Sequence, residues 1–524
     1  MKKSPILLSL TVFLCVIISH SLFGQGPNSK QIDSLVAKAM SISPSVGIAI
    51  AVVKDGEVIH SKGYGIKSIE NKKKVDEHTL FAIASNSKAF TTAALAILID
   101  QGKLKWQDKV IDHIPEFKMY NEYVTANFTI IDLLTHRSGL GLGAGDLMIF
   151  PDGADFDIQD VLKSFQYQKP VSPFRTQFDY DNLLYIVAGE VIARVSGMSW
   201  SNFIESRIFM PLDMNNSIST ISKMQESANL AFPHDSEGKQ IRLLSTYEGD
   251  LAAAAGGIYS SAADLSKWMI MQLNSGKYGK NLSLELFSEK QQNKMWKPHT
   301  NLWFTTKPTE RTRTHYSAYG LGWGMRDVQG KIVIAHSGVL PGMVSRTVLV
   351  PELNLGIVVL TNSLPGGNAY YSISETILDS FLEIEEKAWI KEMAEMAETT
   401  GTKSDSVSSA IWKVVNNNNS STINLDDYTG SYKDNWFGEV EIALKEGNLW
   451  FISKRSPKLN GQMFFYKANT FAIKWKYTDM NADAIATFSV NKEGKGIEIK
   501  MKGISPNIDS CFDFQDLNLK RVEH

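Results

Sequence analysis

The chain has 524 residues, 43% of them apolar and 21% charged, with a formal net charge of −2. That length allows two or three domains with a sizeable core, and the near-neutral balance leaves no basic face for nucleic acid. Ten scattered histidines and two cysteines, without HExxH or paired His/Cys spacing, point to no metal and no cofactor.

At the N-terminus, Lys2 and Lys3 precede an apolar run from Pro5 to Ile18, the layout of a secretory signal peptide over 1–24. The run is short of the ~20 residues a membrane span needs. Cleavage is expected near Gly24–Gln25, giving an exported, periplasmic or extracellular protein with no transmembrane span. Losing Cys15 with the signal leaves Cys511 alone, so no internal disulfide is expected.

Residues 29–42 read as an amphipathic helix through Ile32, Leu35, Val36 and Met40. VGIAIAVVKDGEVIHSKGYGI follows, a hairpin turning at Lys54–Asp55–Gly56. In LFAIASNSKAFTTAALAIL a strand-like run passes into a helix, apolar from Ala89 to Leu98 and so expected to be buried all round. IDLLTHRSGL reads as a short helix into a glycine-rich loop, and DNLLYIVAGEVIARVSG as a helix ending at Gly197. After the Gly256–Gly257 turn a further helix begins near Ser261. YGLGWGM, KIVIAHSGVLPGMVSRTVLV and LGIVVLTN read as strands. Beyond about residue 385 comes a surface helix, then a Ser/Thr/Asn-rich linker including Asn417–Ser421. From Leu425 onward, short strands at close spacing predict a small barrel or sandwich. The expected division is 25–385, 386–424 and 425–524. No repeat, P-loop or GxGxxG is present.

Ser-x-x-Lys occurs three times, but only Ser85 and Lys88 stand at the entrance of a buried helix. Residues three apart share a helix face, and the first helical N–H groups favour an oxyanion beside them. Ser85 reads either as an N-cap or as a nucleophile, for which Lys88 must be desolvated to take a proton. FDYDNLL places Tyr180 and Asn182 at a helix mouth, with Tyr180 as proton partner or as core filler, and Asp181 or Asn182 as a helix cap. IAHSGVLPGMVS carries His336, Ser337, Gly338 and Val339, where Gly338 and Gly342 would let a substrate approach the backbone. His136 reads as a buried hydrogen-bonding residue. LLTHRSGL and YGLGWG read as segments that shape a cleft.

FAIASNSKAFTTAA, LLTHRSGL, FDYDNLLYIVAGEVI, AAAAGGIYSSAADLSKW, YGLGWG and HSGVLPG stand in the order of a known family. Over roughly 29–385 the chain resembles the class C β-lactamase and penicillin-binding-protein family of serine hydrolases, which also holds esterases and D-aminopeptidases. LDDYTGSY, NLWF and ATFSVNKEGKGIEIKMKG are similar to the lipocalin-like barrel often attached to these enzymes. The resemblance implies an α/β (α+β) domain, an antiparallel sheet flanked by helices, with a small all-β barrel behind it. It implies Ser85 as acylated nucleophile, Lys88 and Tyr180 sharing base and acid duties, and Asn182 holding Lys88 or the substrate amide. The backbone N–H groups of Ser85 and Val339 would form the oxyanion hole. His336 stands where β-lactamases and D,D-peptidases of the family usually carry lysine, which argues against anchoring an anionic penicillin. The expected activity is hydrolysis of a small-molecule or peptide ester or amide. Alternatives are a penicillin-interacting D,D-peptidase or β-lactamase, and an inactive binding protein for cell-wall fragments or lipid. An α/β-hydrolase lipase is disfavoured because G-x-S-x-G is absent. An association with the cell wall is compatible with this reading, and the sequence leaves the oligomeric state open.

Overall fold

The computed structural model describes residues 26–523, except 44, 227, 238–239, 365–366, 385–387 and 418–422. The expected signal segment and most of the Asn417–Ser421 run lie outside the described residues.

An eight-stranded antiparallel sheet organises the first two-thirds of the chain. Its spatial order is Glu57–Gly65, Gly47–Lys54, Leu355–Thr361, Met343–Val350, Lys331–Leu340, Gly324–Val328, Tyr316–Tyr319, Thr300–Phe304. The N-terminal hairpin therefore docks on the last strand of this region, which closes the domain through contacts between its two ends.

Gly47–Lys54 explains why VGIAIAVV reads as an unbroken apolar run. Side chains alternate across a strand: Ala49, Ala51 and Val53 enter one core, while Ile48, Ile50 and Val52 enter another. Helices Ser29–Ile42 and Gly367–Phe381 cover the second face through Ile32, Val36, Ile373 and Ile377. The first face carries the larger helical layer, including Ser87–Asp100, Leu183–Ser196 and Ala262–Leu273. Every residue from Ser87 to Leu98 is buried, as the all-round apolar pattern requires. Among the described residues no single helix is long and apolar enough to cross a membrane.

YGLGWG is not one strand. Residues 320–323 turn between Tyr316–Tyr319 and Gly324–Val328. Gly322 (φ +77°) packs so tightly on the neighbouring helix that a Cβ would sit 2.9 Å from the Lys88 carbonyl oxygen.

The expected polar linker is also different. Trp389–Asn417 is one continuous helix, so the helical part runs well into the Ser/Thr-rich stretch. Composition hid a sparse apolar spacing. Ile411, Trp412 and Val415 lie on one side and pack on Ala472, Ile485 and Ile504 of the following domain. At the other end Trp389 stacks under the Arg311 guanidinium at 3.5 Å.

The C-terminal strands, from Gly430–Asp434 to Leu519–Arg521, close into an eight-stranded barrel. Its interior is filled by aromatic rings: Tyr428, Phe471 and Phe488 meet edge to face at 4.9–5.7 Å.

Candidate active site

The Ser85 turn is held from several sides. A two-residue strand, Phe81–Ala82, pairs with Tyr259–Ser260 and leads into a single 3-10 turn, Ala84–Asn86. Ala84 is left-handed at φ +47°, a conformation that costs a non-glycine residue about 1 kcal/mol. Its neighbours fix it: the Ser345 hydroxyl donates to the Ile83 carbonyl at 2.6 Å and accepts from the Asn86 amide at 2.8 Å. Ser85 caps nothing; neither this turn nor the following helix has a side-chain cap bond. Its hydroxyl is turned to Lys88 instead.

Lys88 is fully buried. Its ammonium donates to Ser85 Oγ at 3.1 Å, Asn182 Oδ1 at 2.7 Å and the Ala255 carbonyl at 2.9 Å. Three donors thus meet three acceptors, which fixes the nitrogen on the serine. Burial pulls its pKa down to about 7, against the opposing fields of Asp146, Cys511 and Asp181.

The Tyr180 ring lies beside this nitrogen, 4.7 Å from ring centroid to Nζ. Its hydroxyl is buried and makes no hydrogen bond among the described residues. Burial pushes that phenol well above its ordinary pKa, with the Ser85 hydroxyl acting in the other direction. His136 is buried as expected, lies against Tyr180 with ring centroids 4.1 Å apart and planes tilted by 31°, and accepts at Nδ1 from the Asp181 N–H at 3.1 Å. It therefore shapes the Tyr180–Asn182 segment.

Helix Leu183–Ser196 explains why Asn182 is free for this work. Asp181 takes the capping role, its Oδ1 accepting from the Leu184 N–H at 3.2 Å. Asn182 makes no cap bond; its Nδ2 donates to Asp146 Oδ2 at 2.7 Å. Asp146 is buried and its carboxyl is raised well above the usual range by that burial.

His336 and its neighbours sit within the strand Lys331–Leu340, not at its end. The His336 Nδ1 faces the Ser337 carbonyl at 2.7 Å, so it carries the proton, and Nε2 accepts from the Tyr319 hydroxyl at 2.9 Å. Burial first, then the Lys88 charge, lowers its pKa to about 3, leaving a neutral ring. Ser337 Oγ accepts from Arg346 at 3.3 Å, a guanidinium also bound to buried Glu375 at 2.6 Å. Gly338 serves a close approach, but of the protein's own backbone: a Cβ there would stand 2.2 Å from the Ile83 oxygen and 2.9 Å from the Ser85 nitrogen. Val339 is 47% exposed and borders the same cleft as Ser85.

That cleft, about 380 Å³, brings together Ser85, Tyr180, Asn182, His336, Ser337 and Val339. Lys88 lies just beneath it. Tyr319, the first residue of YGLGWG, borders the cleft as expected of that segment, but sequence reasoning missed its bond to His336, as well as Asp146 and a wall supplied by Asp509, Ser510 and Cys511 from the C-terminal domain. An acid directly after the glycine run was the only signal for Asp146, and nothing signalled the tail residues. Among the described residues no group of His, Cys, Asp and Glu is arranged to hold a metal.

A family model described as Beta-lactamase matches residues 32–377. The chain belongs to the Beta-lactamase family. A second model, a domain of unknown function (DUF3471), matches residues 416–521. Within the family, the chain is similar to the unguisins hydrolase ungD' of Aspergillus campestris (strain IBT 28561). The two are 27% identical over 345 residues, which is 62% of this chain and 59% of that protein. It is also similar to protein flp of Staphylococcus aureus (strain NCTC 8325 / PS 47), at 28% over 343 residues, covering 64% and 63%. The chain thus spans about three-fifths of these curated relatives' length. In structure it resembles the octameric penicillin-binding protein homologue from Pyrococcus abyssi. The TM-score is 0.60 at 19% identity, over 94% of this chain and 99% of that one, a likeness of fold.

Proposed function

We propose that the protein is a serine hydrolase that cleaves an ester or amide through an acyl-enzyme on Ser85. The observation that carries this is the buried Lys88 nitrogen, 3.1 Å from Ser85 Oγ and with a pKa lowered to about 7. A lysine so placed is part-neutral near pH 7 and can accept the serine proton. As Ser85 Oγ attacks the carbonyl carbon, its proton passes to Lys88. The oxyanion is met by the Ser85 and Val339 N–H groups. The bond to the leaving group then breaks, and that group takes a proton from Tyr180, which regains one from Lys88. Water repeats the cycle on the ester and frees Ser85. The high phenol pKa supports Tyr180 as the acid and Lys88 as the base.

The cleft residues include no lysine or arginine and one acid, Asp509, among apolar Ile149, Phe150, Tyr247 and Leu340. With His336 neutral, this lining favours uncharged or cationic acyl groups, such as simple esters or D-amino-acid peptides, over anionic β-lactams. The relative named as a hydrolase agrees with hydrolysis as the reaction class. The aromatic filling of the barrel speaks against a lipid cup there. The N-terminal lysines and apolar run support export.

The test is labelling by a fluorophosphonate probe with hydrolysis of p-nitrophenyl acetate, beside Ser85→Ala. Labelling and turnover that vanish in the variant are expected. Equal turnover in both proteins removes Ser85 from the reaction.

A further inference from the structure

Residues 504–513 leave the barrel after the strand Gly496–Gly503 and enter the hydrolase cleft. The loop fits against Gly143 (φ +71°), where a Cβ would stand 2.2 Å from the Ser510 carbonyl oxygen. Its end carries Asp513, fully buried. One carboxylate oxygen accepts from the Gly145 N–H at 2.8 Å and the other from the Leu147 N–H at 2.9 Å. These two amides flank Asp146. Asp146 accepts from Asn182 at 2.7 Å, and Asn182 accepts from Lys88 at 2.7 Å.

We infer that Asp513, delivered by the C-terminal barrel, is a positioning residue for Lys88, acting through Gly145–Leu147, Asp146 and Asn182. This rests on the hydrolase reading above. A carboxylate bound to the Gly145 and Leu147 N–H groups fixes the peptide that precedes Gly145 and the one that follows Asp146, while the Asp146 N–H is held by the Gly143 carbonyl at 2.9 Å, and together these aim the Asp146 side chain. Here the aimed side chain is the carboxyl that holds Asn182. Asn182 in turn supplies one of the three acceptors on the Lys88 nitrogen among the described residues. Reacting groups held by hydrogen bonds of this length lose rate steeply when they shift by about 1 Å. Phe514, the next residue, stacks on Trp475 of the barrel at 5.6 Å, which anchors the loop from behind.

The experiment uses the full chain and p-nitrophenyl acetate. Asp513→Asn keeps the shape but turns an amide NH2 toward one of the two N–H groups. The expected result is a fall in kcat of about 10-fold or more with KM within about twofold. In an Asn182→Ala background, where the relay is already cut, the same substitution should change kcat by less than about twofold. A loop that merely stabilised the fold would cost the same in both backgrounds. Unchanged kcat, a loss confined to KM, or an equal loss in both backgrounds each overturns the positioning role. If Asp513→Asn does not fold, Phe514→Leu loosens the same loop from the barrel side and is read by the same outcomes. A wild-type protein that neither turns over the ester nor is labelled at Ser85 by a fluorophosphonate overturns the hydrolase reading and this role together. An active wild type isolates the role.

Discussion

Burial lowers the basicity of both Lys88 and His336, the first to a value near neutrality and the second far below it. Because burial lowers the Lys88 pKa to about 7, the competent neutral amine is gained as pH rises through that value. A profile of kcat/KM against pH should therefore show an acid limb near 7. His336, at about 3, is already neutral there, so His336→Gln should leave the limb in place even if it lowers the rate. A limb that disappears in that variant assigns it to the histidine. Gly338 makes a separate point about space. Adding one methyl, in Gly338→Ala, forces the Ile83 oxygen and Ser85 nitrogen away from 2.2 and 2.9 Å. A loss of about 100-fold in kcat and about 1–3 kcal/mol of stability is expected, read by turnover and urea denaturation.

At the scale of elements, legibility followed the distance over which a pattern acts. Ser85 stands in the 3-10 turn that feeds the helix carrying Lys88, three residues on, so the spacing of the sequence still carries their relation. The N-terminal hairpin and the fully buried helix were visible for the same reason: alternation and continuous apolarity are local. Asp146 and Asp513 were not visible, because their partners lie 36 and 366 residues away and no period links them. The helix Trp389–Asn417 failed differently. Its polar composition outweighed a few apolar residues that act only against the barrel. Trp412 shows what they contribute: its ring meets Phe464 at 5.7 Å and its N–H donates to Asp483 at 3.1 Å. Trp412→Ala should cost about 1–2 kcal/mol, measured by urea denaturation, with the helix detaching from the barrel.

Across the whole molecule, the sheet-and-helix domain and the barrel share polar contacts as well as the cleft wall. Arg455 of the barrel grips Asp160 at 2.9 and 2.7 Å and Asp155 at 2.7 Å. Lys458 meets Asp152 at 2.7 Å, and Arg242 meets Asp479 at 2.8 Å. With Asp513 buried between the two bodies, calorimetry should show one cooperative unfolding transition instead of two. Arg455→Ala should lower stability by only about 1 kcal/mol, because these pairs are partly solvated and screened. Two resolved transitions would mean that the contacts do not couple the domains.

The distance between Asp513 and Leu147 also sets an order in time. The two are separated by 366 residues, and a chain grows at about 5–20 residues per second, so the brace arrives roughly 20–70 s after the amides it holds. Until the barrel is made, a nascent chain carries Ser85, Lys88 and, once residue 180 is added, Tyr180, with the cleft still open on one side. The wall of residues 509–511 and the Asp513 brace are thus added to the cleft only after its other residues have been made.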